Sequence, residues 1–424
     1  MGTDSLVQYF THSNGLDINN TWGDLIRLYD KVLVNGIELP PISSATIDSQ
    51  GDVHLTTSAN HKVTLFQIIE LTDFTPAEFN QKYRVKGITS ATEIILKPLT
   101  LIFSEIATIG SAKLAPLGYE IIFRDAADVK RVYRAKNPTS EHPFIRVDES
   151  LVSGANSYAT GYAKYAMVGL LDNMAHIDDY TNPEVQQLPF DTSDLSKNWK
   201  ISGSGSSVNR GWSRWYWARS REASGPSADT ASISSGNRTF LICGDASAFF
   251  HMTSLVGSDS VKAIYGLGVY KNSLESHVKP WFLMGPLLTR TASDASNGIT
   301  GVNDGTYPLT YAMHQMGRFI INKQTSNSVA NHVNANPILV DWVSGTAASK
   351  FTSAQLSALE IPFYDVDGYL RGTLPHVCYA GKAAVIPTVA TPTISGNSMY
   401  ITDSLYSDGT PQRGCIHFYL GELE

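Results

Sequence analysis

Apolar and polar positions alternate in short runs along most of the chain, and turn residues separate the runs. The clearest stretch lies between residues 45 and 97. Asp48-Ser49-Gln50-Gly51-Asp52 predicts a turn. Val53-His54-Leu55-Thr56-Thr57 then alternates with period two, as a strand with one buried face does. Asn60-His61-Lys62 predicts a second turn, and Val63 to Leu71 a largely apolar, partly β-branched strand. The run from Phe79 to Val85 leads into another strand, and Thr92 to Leu96 forms a further one. Strands this short and this closely spaced point to a small sandwich or barrel.

A second block covers residues 119 to 185. Tyr119 to Arg124, Lys130 to Arg134 and Phe144 to Asp148 predict three strands, with a turn at Asn137-Pro138-Thr139-Ser140. Tyr162 to Leu171 predicts a long apolar strand, and Leu171 to Asp179 a short helical turn. The composition shifts over residues 186–237. Gly203-Ser204-Gly205-Ser206-Ser207 and Ser224-Gly225-Pro226-Ser227 bracket an aromatic cluster there, which predicts a long loop or a mobile hairpin. Strands return at Thr239 to Cys243, Ala248 to Met252 and Ala263 to Tyr270. A Gly/Asn/Asp loop fills 291–306. Strands near Gly317 to Asn322 and Pro337 to Trp342, a short helix at Ser353 to Leu356 and a last strand from Gly414 to Leu420 complete the pattern.

No solenoid or propeller repeat is present. The predicted fold class is mainly β, with two or more β-sandwich or β-barrel-like modules, long loops and little helix. The predicted organisation is an N-terminal extension (1–44), a small β module (45–115), a β domain carrying the aromatic, Arg-rich loop (116–290, loop 186–237) and a C-terminal β region (291–424). The boundary after the first module is expected near residues 100 to 120.

Composition narrows the class. A chain of 424 residues is long enough for two or three domains. Charged residues make up 17%, against roughly 25% in an average soluble domain, and Ser, Thr, Asn, Gly and Tyr take their place. A surface poor in long charged side chains loses less rotamer entropy when a neighbour covers it, which suits a subunit packed into an assembly. The net charge of −7 gives no global basic footprint, so no nucleic-acid partner is expected. Cys243, Cys378 and Cys415 are odd in number and widely spaced. They predict buried thiols of a protein made in a reducing cytoplasm, with neither a disulfide framework nor a zinc site. The first fifteen residues are polar, so no signal peptide is expected, and no run approaches the ~18 apolar residues of a membrane span.

One segment stands out chemically. Between Asn209 and Arg221 lie Arg210, Trp212, Arg214, Trp215, Tyr216, Trp217, Arg219 and Arg221. Trp, Tyr and Arg are enriched at protein interfaces, and the same groups stack on sugars or bases. A protein interface or core is the foremost reading, a glycan contact the second and nucleic acid the least. In an alternating strand Trp215, Trp217, Arg219 and Arg221 share one face. The Gly- and Ser-rich flanks argue against all three Trp serving the module's own core. The segment is therefore expected at a contact with another chain, or projecting toward one.

Other motifs lead nowhere catalytic. His176-Ile177-Asp178 lacks a marked second His for a metal triad, and capping carboxylates at a turn explain it. Asp365-Val366-Asp367-Gly368 begins like a calcium loop but lacks the downstream Glu, so a β-turn is expected. No Gly-x-Ser-x-Gly elbow, P-loop or dinucleotide fingerprint occurs. No catalytic, metal or cofactor-binding residue is assigned, and a non-enzymatic protein is expected.

Several segments, in order, resemble the β-rich virion structural proteins of tailed bacteriophages. That family's N-terminal β module is similar to Gly51-Asp52-Val53-His54-Leu55-Thr56-Thr57, His61 and Tyr83-Arg84-Val85. Its next unit is similar to Phe123-Arg124-Asp125, Tyr133-Arg134, Arg146-Val147-Asp148, Tyr162-Ala163-Lys164-Tyr165 and, with altered spacing, Met174-Ala175-His176-Ile177-Asp178. Ile242-Cys243-Gly244-Asp245 with Phe249-Phe250, and Asp367 to Pro375, resemble later pieces. The first ~45 residues carry none of the pattern. The resemblance implies a structural subunit of a virion, made in the host bacterial cytoplasm and built into the tail, baseplate or fibre attachment. Its partners would be other virion subunits, and it would form a homo-oligomer, cyclic or set by a three- or six-fold axis. The alternatives are a receptor- or glycan-binding tail protein that contacts a host surface glycan, a head or collar decoration protein, and a glycan-degrading tail spike. The last expects repetitive solenoid patterning that is not seen.

Overall fold

The structure is a computed structural model. It describes residues 7–102, 104–151, 161–202, 209–219, 232–254, 262–286, 317–338, 358–379, 389–405 and 414–423. Among the described residues strand accounts for 48% and helix for 6%, so the fold is mainly β with little helix, in antiparallel sheets. Three sheets carry the architecture. A seven-stranded sheet is built from strands between Ile37 and Leu114. A six-stranded sheet joins Tyr119–Arg124, Lys130–Ala135, Phe144–Asp148, Lys164–Leu171, Gln187–Leu188 and Arg214–Ala218. A thirteen-stranded sheet combines Gln8–Thr11 with the strands from Phe240 to Glu422.

The seven-stranded sheet follows its period-two pattern. In Val53–Thr57 the side chains of Val53 and Leu55 are buried, while His54 and Thr56 between them are half-buried. The large sheet obeys a different rule. Phe240–Gly244 and Ala248–Thr253 are buried along their whole length. Phe240, Ile242 and Phe249 enter one apolar core, and Leu241, Cys243, Phe250 and Met252 enter another. Alternation is present in space but hidden in the sequence, because both faces need apolar side chains. The sheet also curls back on itself. Phe250 meets Phe418 of the strand Gly414–Glu422, with ring centroids 5.6 Å apart, although many strands separate them in the sheet order.

The expected N-terminal extension is corrected. Gln8–Thr11 is a strand of the large sheet, pairing with Phe240–Gly244 so that Gln8 lies opposite Gly244. The helix Asp24–Tyr29 and the π-helical turn Asp30–Asn35 then cross the interior. Leu25, Ile26, Leu28, Tyr29, Val32 and Leu33 all lie in the core shared with the seven- and six-stranded sheets. The expected boundary at 290 is corrected as well. Trp281–Pro286 pairs with Gly317–Asn322, so one sheet runs through that position. Leu171 to Asp179 contains no helix; the strand His332–Pro337 ends where the expected strand Pro337 to Trp342 begins, and residues 339–342 lie outside the described residues. The helix expected at Ser353 to Leu356 lies outside the described residues.

The N-terminal strand closes one edge of the large sheet with side chains. Gln67 is fully buried. Its Nε2 donates to the Tyr9 carbonyl at 2.8 Å and to Asn14 Oδ1 at 3.0 Å, while its Oε1 accepts from Thr64 N at 2.8 Å and Asn14 Nδ2 at 3.0 Å. Arg84 Nη1 donates to the carbonyls of Val7 and Phe66, and its Nη2 to that of Leu420. Edge groups that would otherwise invite pairing are thereby satisfied. Gln67→Leu keeps the volume but strands these donors and acceptors. It is expected to lower stability by ~2–4 kcal/mol in denaturant unfolding. An unchanged unfolding midpoint would contradict this account of the edge.

Candidate functional site

The Trp/Arg segment forms the strand Arg214–Ala218, which pairs with Lys164 to Met167 of the six-stranded sheet. Gly211 precedes it with φ +59, and a Cβ there would lie 2.4 Å from the Asn198 carbonyl oxygen, so the approach needs glycine. Trp215 stacks on Tyr265 at 5.3 Å and meets Tyr29 and Phe249 edge-on. Trp217 meets Trp22 edge-on at 5.9 Å, and its Nε1 donates to the Asn19 carbonyl at 2.9 Å. Tyr216 packs on Tyr165 at 4.8 Å. Trp212 sits between the His332 ring at 4.7 Å and the Lys197 ammonium at 4.4 Å.

The cations are interleaved with these rings. The Arg210 guanidinium lies 4.6 Å from the ring centroids of both Trp22 and Tyr165, and donates to the carbonyls of Ser150 and Tyr165. Arg214 lies 4.8 Å over Tyr165, and Arg219 4.5 Å over Tyr216. Lys164 lies 5.3 Å over Trp22. Burial, together with Arg238 and Arg210 nearby, pulls the Lys164 ammonium down to about 8, and burial pulls Arg238 down to about 10. Guanidinium groups tolerate such a site because they are weakly hydrated and stack on aromatic faces.

The expected contact surface is therefore corrected. Arg210, Trp212, Arg214, Trp215, Tyr216, Trp217 and Arg219 are all at most 4% exposed, and they lie inside the chain's own fold. The reason is two-sided burial. Trp215 and Trp217 share one face of their strand and Tyr216 the other, yet all three join the core that the N-terminal helix fills. Arg221 lies outside the described residues. What the arrangement does chemically is lock the six-stranded sheet, the helix and the large sheet together.

The remaining motifs are occupied by structure. Asp178 accepts from Lys130 Nζ at 2.9 Å and Arg146 Nη2 at 2.5 Å. Asp365 Oδ1 accepts from the backbone N–H groups of Asp367 and Tyr369, and its Oδ2 from Arg371. Among the described residues no group of three or more His, Cys, Asp or Glu is placed to hold a metal. His142 Nε2 lies 3.1 Å from Ser247 Oγ, but Thr139 N–H donates to His142 Nδ1 at 2.8 Å. A neutral ring therefore carries its proton on Nε2 and donates to the hydroxyl. It does not act as a base toward Ser247.

Sequence reasoning missed two features. Glu149, a buried carboxylate, caps the N-terminal helix, and nothing in its local sequence marks it. The hairpin of Leu359–Asp365 and Leu370–Tyr379 exposes apolar groups: Tyr364 and Leu370 are cross-strand partners, and Val366 and Tyr369 flank its turn. The two flanking aromatic and aliphatic pairs, bracketed by the Asp365 turn, were legible as a strand–turn–strand but not as an outward face.

No family model matches the chain, and no curated protein matches it. Among solved structures it is similar to the phage phi92 endosialidase at 8% identity and a TM-score of 0.16, over 92% of this chain. The match spans 52% of that protein, so the chain is about half its length, and a score this low bears on neither fold nor activity.

If the Trp/Arg strand is core, truncation leaves a cavity. Trp215→Ala is expected to lower stability by ~3–5 kcal/mol in denaturant unfolding. A loss below ~1 kcal/mol would return this strand to the surface.

Proposed function

We propose that this chain is a structural subunit of a tailed-phage virion, placed in the tail or the baseplate and fibre attachment, and that it acts through protein–protein assembly without chemical turnover. The ordered resemblance supports the reading, and several of its pieces fall on strands. Tyr83-Arg84-Val85 lies within the strand Lys82–Ile88, and Arg146-Val147-Asp148 within Phe144–Asp148. The fixed geometry supports it too, since buried ion pairs and stacks tie the sheets together. Arg371 with Asp365 and Lys262 with Asp403 are such pairs, each at most 1% exposed.

The observation that carries assembly is the apolar hairpin. Tyr364, Val366, Tyr369 and Leu370 are between 41% and 55% exposed. A cluster of large apolar side chains in water marks a contact surface. It replaces the Trp/Arg strand as the surface that a neighbouring virion subunit would cover. A glycan-binding role loses the described residues first assigned to it, Arg210 to Arg219, which are buried.

The test is a Tyr364→Asp, Leu370→Asp double variant supplied in place of the wild-type chain during phage growth. It is expected to fold with an unchanged unfolding midpoint and to fall at least ~10-fold in purified particles, a loss of 1.4 kcal/mol or more in binding. Gold-labelled antibody against the wild-type chain is expected on tails. Purified particles that lack the chain altogether would overturn the virion assignment. Normal incorporation of the double variant would overturn the hairpin as the contact.

A further inference from the structure

The helix Asp24–Tyr29 begins at Gly23, whose φ of 87° suits glycine and whose missing side chain leaves the first N–H groups without a local cap. Glu149 supplies the cap from a distant part of the chain. It follows the strand Phe144–Asp148 and is 1% exposed. Its Oε1 accepts the Ile26 N–H at 2.8 Å, and its Oε2 accepts the N–H of Gly23. One carboxylate thus joins the N-terminal segment to the six-stranded sheet.

Among the described residues no Lys or Arg stands within ion-pair distance of this carboxylate. The groups around it are Arg210 from the ribbon Asn209–Arg210, Asp24 on the capped turn, Tyr29 on the helix and Tyr133 on the strand Lys130–Ala135. Arg210 is engaged with the carbonyls of Ser150 and Tyr165. A carboxylate withdrawn from water without a direct cation favours its neutral form. Burial raises the Glu149 carboxyl to about 7, against the opposing pull of the two backbone N–H groups and Arg210.

We propose that Glu149 is a proton-sensitive catch: uptake of a proton at this buried carboxyl tightens the docking of the N-terminal segment onto the six-stranded sheet, and its loss loosens it. An ordinary Glu in the unfolded chain titrates near 4.3. Between that value and about 7 the folded chain holds the extra proton. Stability from this group is therefore fully present below the unfolded value and is lost as pH rises through the folded one.

The experiment is denaturant unfolding of the full chain at pH 5, 6, 7 and 8, with Glu149→Gln beside it. The wild-type folding constant is expected to fall, relative to the variant, by up to about tenfold per pH unit between about 5 and 7. Amides of residues 24–35 should also lose protection from hydrogen exchange over the same range. Identical slopes in the two proteins would overturn the proposal. If Glu149→Gln does not fold, the wild-type chain with 13C-labelled Glu carboxyls decides. A buried carboxyl with its midpoint near neutrality supports the catch, and a midpoint at or below about 4.5 overturns it.

Discussion

The strands that open the large sheet carry bulky apolar groups on both faces, and the rest of the molecule is arranged to keep water off each. Phe240, Ile242 and Phe249 point one way, Leu241, Phe250 and Met252 the other. One face is covered by the sheet's own C-terminal strands, which roll back so that Phe418 reaches Phe250. Among the described residues, no strand of the same sheet folds over the other face. The N-terminal helix and the two smaller sheets do so, with Tyr29 in edge contact with Phe249 and Trp215 beside it. The three sheets form a single body because their apolar faces meet around one helix.

This requirement accounts for the unusual number of buried cations. Helix and sheet edges bring backbone carbonyls and carboxylates into the interior, and these need donors. Arg131 and Tyr133 donate to Asp30 at the end of the helix, and Arg124 reaches it from the next strand. Arg146 pairs with Asp148 and Asp178 while its guanidinium lies between the rings of Tyr180 and Trp199, at 5.1 and 4.4 Å. Such networks confer geometry more than net stability, because each charge was costly to take from water. A chain with few charges overall spends a good share of them on joints between sheets.

Much of the strand pattern was legible where one face is wet. Val53–Thr57 and Tyr119–Arg124 fall where turn residues and apolar content place them, and Phe144–Asp148, though buried throughout, follows the turn that precedes it. The N-terminal helix was missed although Leu25, Leu28, Tyr29, Val32 and Leu33 recur at helical spacing, because its short length and the polar start of the sequence masked it. The Trp/Arg strand was not legible. Trp, Tyr and Arg have the same composition in an interface and in a core built of stacked cations, and only the covering elements distinguish them. Glu149 was hidden for a related reason: its partners, Gly23 and Ile26, lie far off in sequence.

The pairing of Gln8 with Gly244 sets a clock on synthesis. The strand Gln8–Thr11 leaves the ribosome well before its partner Phe240–Gly244, which is made only after the two smaller sheets. At ordinary elongation rates that wait is on the order of 10–50 s. Through it the strand Gln8–Thr11 lacks the neighbour it finally pairs with. Contacts this distant in sequence make for slow closure. A sheet that joins Gln8–Thr11 to Phe240–Gly244 is therefore completed late.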